Sequence, residues 1–544
     1  MTLKEQVLSF FSGDVFDDDE TLEAFSRDSS IFRMKPKLVV LPKNVRDIKY
    51  LVKFVNEMKM RGHYISITVR GGGNDVSGAA VSESILLVTT KYLNKIIHLD
   101  DSSVHVEAGT SASHLNSVAS KKGVFLPSVP EVFNNHTVGG MIANNTGSDL
   151  SGNVGKTSTY VDSLKMILSD GEECLFKSLT LAELEAKKKL QNREGEIYRK
   201  LFSIVSNHKE EIELVRPHVT RNVAGYNLLD EYDSARGVFN PAHLIAGSQG
   251  TLGIITEVTL RLNKKNEHRR FAYLEFENIS KASEILESIL PFIPQSFDLF
   301  DKQAVDIFVK HLRKNSKNKG ESYMRNLLRC FPHFFSKTVM AGHRFIVLAE
   351  FRAKLILKAQ IIAAKALSAI KDPSVKRRIL DAKEVKKYKE ILYDSQFLFN
   401  FYEHGSHSAR IVQDTSVRTS VFEAYLKRLL PLLDSYHFRF TFGGRVGDGN
   451  LRIITLIDLS RKDEALRLRK LTSEVADLVL KFKGTLSTDI NDGLLLGPML
   501  ERMYGEKVYN LFIETKKVFD PNNIFNPHKK INVTSTFALA HLEH

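Results

Sequence analysis

The stretch TVRGGGNDVSG, residues 68–78, decides how this chain is read. The apolar run before it, residues 64–69, has the pattern of a strand, and Gly71, Gly72 and Gly73 follow in succession. With no Cβ in the way, several backbone N–H groups of such a turn can converge on one anion, as a pyrophosphate requires. A single glycine-rich turn after a strand is commonly just a bend. This one lacks the G-x-x-x-x-G-K-S/T pattern of a P-loop, and no helix with an acidic residue about 20 positions on follows it as in a dinucleotide fingerprint. Its weight comes from a second small-residue cluster, VGGMIANNTG at 138–147, and a third, GSQGTLG at 247–253.

At 544 residues the chain exceeds one ordinary core and suits two or three domains. An apolar fraction of 43% beside 26% charged residues is that of a globular protein in water. No run approaches about 18 uncharged apolar residues, and the opening MTLKEQVLSFF is too short, with acidic residues close behind, for a signal peptide. A cytoplasmic protein is expected. Cysteine occurs only at Cys174 and Cys330, which excludes a thiolate-bound iron–sulfur cluster, a Cys-rich zinc site and a disulfide framework within the chain. The net charge of +13 attracts anions, and much of it is local, as in KHLRKNSKNK at 310–319 and in residues 376–378, with Lys386, Lys387 and Lys389 behind. A solvated face is the ordinary reading of such runs, and peripheral contact with an anionic membrane surface is the sharper one. No nucleic-acid motif accompanies the charge, so no nucleic-acid partner is expected.

Taken in order, residues 3–11 suit a short amphipathic helix. A strand is expected at 38–41, then a helix capped by Asp47 with Ile48, Leu51, Val52, Val55 and Met58 on one face. Strand patterns follow at 85–88, 96–99 and 104–107, with a helix over 111–121 that ends at Gly123. Residues 161–168 and the turn 169–171 read as strand and hairpin, 181–208 as a charged helical insert, and 254–262 as a strand. After Lys264 helical and strand patterns alternate among many lysines, with a strand from Phe271 and a long Ala-rich helix over 353–370.

Five segments, in this order and spacing, resemble the vanillyl-alcohol-oxidase or PCMH-type FAD-binding fold: PKLVVLPKNVRDIKYLVKF (36–54), VRGGGNDVSG (69–78), VHVEAGTSASHL (104–115), HTVGGMIANNTG (136–147) and LIAGSQGTLGIITEVTLRL (244–262). RNVAGYNL (221–228) and DPNNIFNPHK (520–529) are further matches. The resemblance implies an α+β architecture. A two-subdomain FAD-binding domain would span 1–264 and an α+β cap 265–485, with a basic insertion near 310–332. A C-terminal segment, 486–544, would return to the FAD domain. It implies FAD contacts from Arg70, Gly71, Gly72, Gly73, Asn74, Asp75 and Gly78 in the first cluster. Pro130, Thr137, Val138, Gly139, Gly140, Ala143, Asn144 and Gly147 would supply the second. Ser248, Gly250, Gly253, Ile254, Ile255 and Asn526 would supply the rest. Covalent relatives carry a histidine after the glycines where this chain has Asn74, so non-covalent FAD is expected.

The second half resembles the cap of FAD-dependent D-2-hydroxyacid dehydrogenases, a group that includes D-lactate dehydrogenase, the glycolate oxidase flavin subunit and D-2-hydroxyglutarate dehydrogenase. The matches are FGGRVGDGNLR (442–452) and GTLSTDINDGLLLG (484–497). In that family a histidine stands on each side of GDGN and Glu-His precedes the later glycine, binding a divalent metal and taking the hydroxyl proton. Here Arg445 and Arg452 stand at the histidine positions, Asp489 at the glutamate and Ile490 at the base. A guanidinium has no lone pair to give, so no catalytic metal is expected. A four-residue hairpin loop at 447–450 would set Arg445 opposite Arg452, with Cβ atoms about 5 Å apart. Such a pair needs negative charge between its members. Asp489 would make it a structural ion-pair cluster, whereas a carboxylate or phosphate substrate would make it a receptor, and both readings stand.

With Ile490 at the base position, a proton acceptor must come from elsewhere. NFYEHGSHSAR (400–410) offers Tyr402, Glu403, His404 and His407. Asp414 and Asp448 sit at family-type positions, the latter expected to shape the turn. The implied function is hydride transfer from a small anionic 2-hydroxyacid to flavin, with electrons leaving to a quinone, a carrier protein or oxygen. The alternatives are oxidation of another alcohol (a sugar, a lactone or a phosphorylated compound) and a flavin-binding protein with little turnover.

Overall fold

The computed structural model describes residues 1–544 apart from 131–134, 149, 151, 234–235, 266–267, 302–344, 387–388, 390–406, 410–413, 458–460 and 543–544. The basic insertion near 310–332 and Tyr402, Glu403 and His404 therefore lie outside the described residues.

The first layer is a four-stranded sheet of β1 (Asp14–Phe16), β2 (Leu38–Leu41), β3 (Ile67–Arg70) and β4 (Ile85–Val88), ordered β1-β2-β4-β3. Helix α1 (Val45–Met60) crosses from β2 to β3 and buries Ile48, Leu51, Val52 and Val55 on the sheet. Its N-cap is Asn44, whose side chain accepts from the Asp47 N–H. Asp47, expected as the cap, is instead buried in the first turn, where it accepts from Ser12 N at 2.9 Å and Lys43 N at 2.8 Å. The carboxylate ties the N-terminal segment to the helix start, a task that sequence spacing does not reveal.

The second layer contains β5 (Ile96–Leu99), β6 (Ser103–Glu107), β7 (Val161–Ile167), β8 (Glu173–Lys177) and β9 (Ile254–Arg261), ordered β5-β6-β9-β7-β8. Helix α2 (Ala112–Ser120), capped by Ser111, and α3 (Val138–Asn144), capped by Thr137, contribute Leu115, Val138 and Ile142 to its core. The third element is a large sheet. Strands β10 (His268–Phe276), β11 (Ser296–Asp301), β12 (Phe345–Ala353), β13 (Lys376–Leu380), β14 (His407–Ala409), β15 (Thr415–Ser416), β16 (Arg439–Gly444) and β17 (Asn450–Ile457) belong to it. The order is β13-β10-β12-β11-β16-β17-β14, and β15 pairs with β17. Helix α4 (Ile356–Ala369) covers part of one face through Ala359, Ala363 and Ala366, whose small side chains let it lie close to the strands.

The C-terminal helix α5 (Leu500–Phe519) leads the chain back to the first layer, where Phe525 bridges Ile67. Lys516 there is buried and satisfied, donating to Thr251 O at 2.6 Å, Phe525 O at 2.7 Å and Asp520 at 2.5 Å. The architecture is thus α+β, two sheet layers followed by a large antiparallel sheet with helices. Among the described residues no helix is long and apolar enough to cross a membrane.

Candidate functional site: a glycine-walled cleft beside an arginine–aspartate cluster

The three glycine clusters line one cleft. Its walls include Gly71, Gly72, Gly73, Asn74 and Asp75 from the first, Thr137, Gly139, Gly140, Ala143 and Asn144 from the second, and Gly250, Gly253 and Ile255 from the third. A Cβ on Gly71 would overlap the Thr137 hydroxyl, and one on Gly72 the Asn135 carbonyl, so the first two loops touch through backbone. Four side chains then lock the loops together. Asn144 donates to Asp75 at 3.0 Å, and Gln249 donates to Asn144 at 3.2 Å and to Ser77 at 3.0 Å. Asn526, 1% exposed, lies behind the cleft wall and braces it, donating to Ala79 O at 3.0 Å and Gln249 O at 2.8 Å while accepting from Thr68 at 3.0 Å.

The remaining residues that the resemblance implicated lie off the cleft wall. Arg70 turns its guanidinium under the glycine turn, over the Phe25 ring at 5.4 Å. Gly78 faces Phe32 and Leu494, Val138 and Ile254 are core residues, Ser248 is buried, and Pro130 lines a separate pocket with Lys264 and Arg269. Conversely, Thr89, Ala108, His136, Thr146 and Gln249 line the cleft without having been singled out. Burial pulls the His136 imidazole below its ordinary value, so it is neutral near pH 7.

At the end of the cleft marked by Thr146, the next residue, Gly147, packs under Asp489 and Arg221. Here the hairpin β16–β17 meets the 484–497 segment. Gly443 pairs with Arg452 across the ladder, so Arg445 stands opposite Asn450 and the hairpin loop is 446–449, one residue earlier than expected. Gly449 takes a left-handed conformation, φ 71°, and Asn450 N donates back to Arg445 O at 3.1 Å, which tightens the loop. Arg445 and Arg452 therefore do not face each other as strand partners, yet both guanidiniums reach Asp489.

The cluster contains Arg221, Arg445 and Arg452 against Asp414, Asp448 and Asp489. Arg221 is fully buried. It lies 3.1 Å from Asp489 Oδ1 and 3.4 Å from Asp448, and it donates to the carbonyls of Ser148 and Leu150. Arg445, also buried, contacts Asp489 directly and Asp448 at 3.8 Å. Burial, with Arg221 and Arg452 near it, pulls the Arg445 guanidinium down to about 10, still charged at neutral pH. Arg452 is the most exposed of the three, its side chain 24% accessible, with Asp489 at 3.7 Å and Asp414 at 3.9 Å.

Asp414 is buried as a receptor for the 488–490 backbone, accepting from Thr488 N at 2.8 Å, Ile490 N at 2.7 Å and Asp489 N. Burial raises its carboxyl while Arg452 pulls it down. Asp448, expected only to shape the turn, is an ion-pair partner of Arg221 and Arg445. His407 opens β14 opposite Ile457, and five residues of strand separate Ile457 from Arg452, roughly 17 Å at 3.4 Å per residue. The structure does not bring His407 to the cluster.

The donor set does not fit a metal. Arginines stand where ligands would be, and the carboxylates between them are engaged by guanidinium and backbone N–H. The cleft does fit an extended cofactor. A Cβ on Gly140 would meet only the Thr137 hydroxyl and one on Gly250 only Val69, so both glycines open onto the cavity. Among the described residues, no group of three or more His, Cys, Asp or Glu side chains could hold a metal ion.

Comparison with known proteins defines the class as a flavoprotein. Residues 36–175 match the FAD binding domain, and residues 265–530 match the C-terminal domain of FAD linked oxidases. The chain belongs to the PCMH-type FAD-binding flavoproteins that carry an FAD-linked oxidase C-terminal domain, and its cofactor is FAD. It is 24% identical to a D-2-hydroxyglutarate dehydrogenase of Pseudomonas putida over 96% of this chain, and spans about half (51%) of that relative's length. It is also 24% identical to a D-lactate dehydrogenase of Archaeoglobus fulgidus, over 91% of each chain. The 4-ethylphenol oxidase of Gulosibacter chungangensis shares its fold with a TM-score of 0.65 at 14% identity, covering 98% of both chains.

Proposed function

We propose that the chain is an FAD-dependent oxidoreductase acting on the CH–OH group of a small anionic 2-hydroxyacid, of the D-lactate, glycolate or D-2-hydroxyglutarate kind. The observation that carries this reading is the position of the arginine–aspartate cluster at the Thr146–Gly147 end of the glycine-walled cleft. Bound FAD would supply the hydride-accepting ring. The loops at 71–75, 137–144 and 250–255 would hold it through backbone, and Asn74 leaves it without a covalent link to the first loop.

The chain's own groups divide the remaining work. Arg221 is held by carboxylates and carbonyls and Arg445 is buried against Asp489, so both fix Asp489 rather than receive substrate. Arg452, at the exposed edge with its carboxylates near 3.7 and 3.9 Å, is the guanidinium that can swing to a substrate carboxylate. Asp489 is engaged by three guanidiniums and serves to hold them in place. The hydroxyl proton must go to another acceptor, and neutral His136 on the cleft wall is the candidate. Electrons would leave to a quinone or a carrier protein.

Anaerobic addition of D-2-hydroxyacids to the yellow holoprotein tests this directly, and bleaching of the flavin band is the expected result. One observation favours a second reading, a flavin protein with little turnover: the three arginines and three aspartates already balance. Failure of hydroxyacids, polyols and phosphorylated alcohols alike to bleach the flavin would support it.

A further inference from the structure

We propose that the end of the large sheet at which α4 begins is a docking surface for an anionic lipid bilayer. Five successive residues there, Lys354 to Lys358 (KLILK), are exposed, with Leu355, Ile356 and Leu357 at 68%, 46% and 67%. Ile361, one turn beyond Leu357 on the same face, is 46% exposed. A fifth exposed aliphatic lies in the turn before β11: β11 and β12 pair with Ser296 opposite Glu350, so the turn carrying Ile293 enters the sheet at the Ala353 end of β12, where this knuckle begins. Ile293 is 75% exposed and left-handed at φ 53°, a costly conformation for a β-branched residue. Single exposed aliphatics need no explanation, but a contiguous group does.

The charges around the knuckle select the partner. Lys354, Lys358 and Lys365 are exposed and form no ion pair with any described residue. On the neighbouring helix and strand Lys281 pairs with Asp372 at 2.5 Å and Lys376 with Glu275 at 3.6 Å, while Lys371, just past the end of α4, is exposed like the lysines of the knuckle. His268 pairs with Ala353 at the knuckle end, where Lys264 and Lys265 line a pocket beside Arg269 and Arg352, both of which pair with Glu350. Aliphatic side chains ringed by unpaired lysines match an interface that is apolar beneath and anionic on top. One helical turn and one loop residue are smaller than the roughly 800 Å² that each partner of a stable protein complex buries, which favours a bilayer over a protein. A membrane surface would bring the chain to where a quinone is dissolved. That purpose rests on the oxidoreductase reading, whereas the docking does not.

The test is co-sedimentation of the holoprotein with vesicles of phosphatidylcholine alone or mixed with phosphatidylglycerol. Binding to the mixed vesicles only, weakening as salt rises, is expected. Lys354→Glu with Lys358→Glu should weaken it about tenfold or more, and Leu355→Ser with Leu357→Ser about tenfold. Flavin content and flavin reduction in solution should stay unchanged in both variants. A wild type that ignores the mixed vesicles overturns the proposal, as does equal binding by both variants. So does self-association that the leucine variant abolishes without any vesicle binding, since the surface would then join two protein copies. A holoprotein that binds vesicles but is bleached by no hydroxyacid would sink the oxidoreductase reading and leave the docking surface standing.

Discussion

The cofactor cleft and the arginine–aspartate cluster adjoin at Thr146 and Gly147, yet they are built in opposite ways. The cleft is a backbone structure. Its glycines bring main chain against main chain, and Asp75, Asn144 and Gln249 tie the loops from within. The cluster is a side-chain structure, in which the replaced family positions form ion pairs with Arg221, Asp414 and Asp448. A backbone site depends on the absence of side chains and is broken by adding one. A side-chain site depends on charge balance and is broken by removing one.

The largest effect should come from adding a side chain to the cleft. Gly72→Val places carbon where the Asn135 carbonyl lies, and the purified protein should lose nearly all of its flavin. A variant with full flavin absorbance would break the claim that loop contact through backbone builds the site. Next, Asp489→Ala strips the shared carboxylate from buried Arg445 and Arg221, and should lower stability by about 3–5 kcal/mol in denaturant melts. A change within about 0.5 kcal/mol, the range of ordinary surface substitutions, would mean that the cluster is not an integral buried network.

A smaller effect, about tenfold on KM with kcat little changed, is expected for Arg452→Met if this arginine receives the substrate carboxylate. An unchanged KM would assign all three arginines to structure.

The smallest effect concerns the first loop. Burial and the neighbouring Asp75 carboxylate push the Asp28 carboxyl up to about 7. The folded state then holds a proton that the unfolded chain releases near its ordinary value of 3.8, so stability is lost as pH rises from about 4 through 7. Asp28→Asn should flatten that fall, by about 2 kcal/mol or less, in melts of the flavin-free protein. An identical pH profile would show that Asp28 does not carry it.

The same contrast governs what the sequence made legible. Glycine clusters at fixed spacing announce a backbone site, and residues 71–75, 137–144 and 250–255 line one cleft. The strands at 85–88 and 96–99 and the helix following Ser111 also stand where periodicity and capping put them. Arg221 was visible in RNVAGYNL but had no readable role, because its partners Asp448 and Asp489 are distant in sequence and meet it only in the folded chain. The sequence pattern puts the hairpin loop one residue late because GDGN looks like a complete turn, whereas the left-handed residue is Gly449 and the closing pair is Arg445 with Asn450. Asp47 read as a cap because Asn44, which accepts from its N–H, is an equally good one.

The central proposal is that this flavoprotein would work with a guanidinium cluster and without a metal. Anaerobic flavin reduction by a D-2-hydroxyacid, before and after exhaustive chelation, tests it most directly. The account predicts bleaching at the same rate in both samples. Bleaching that chelation abolishes and an added divalent ion restores would contradict it.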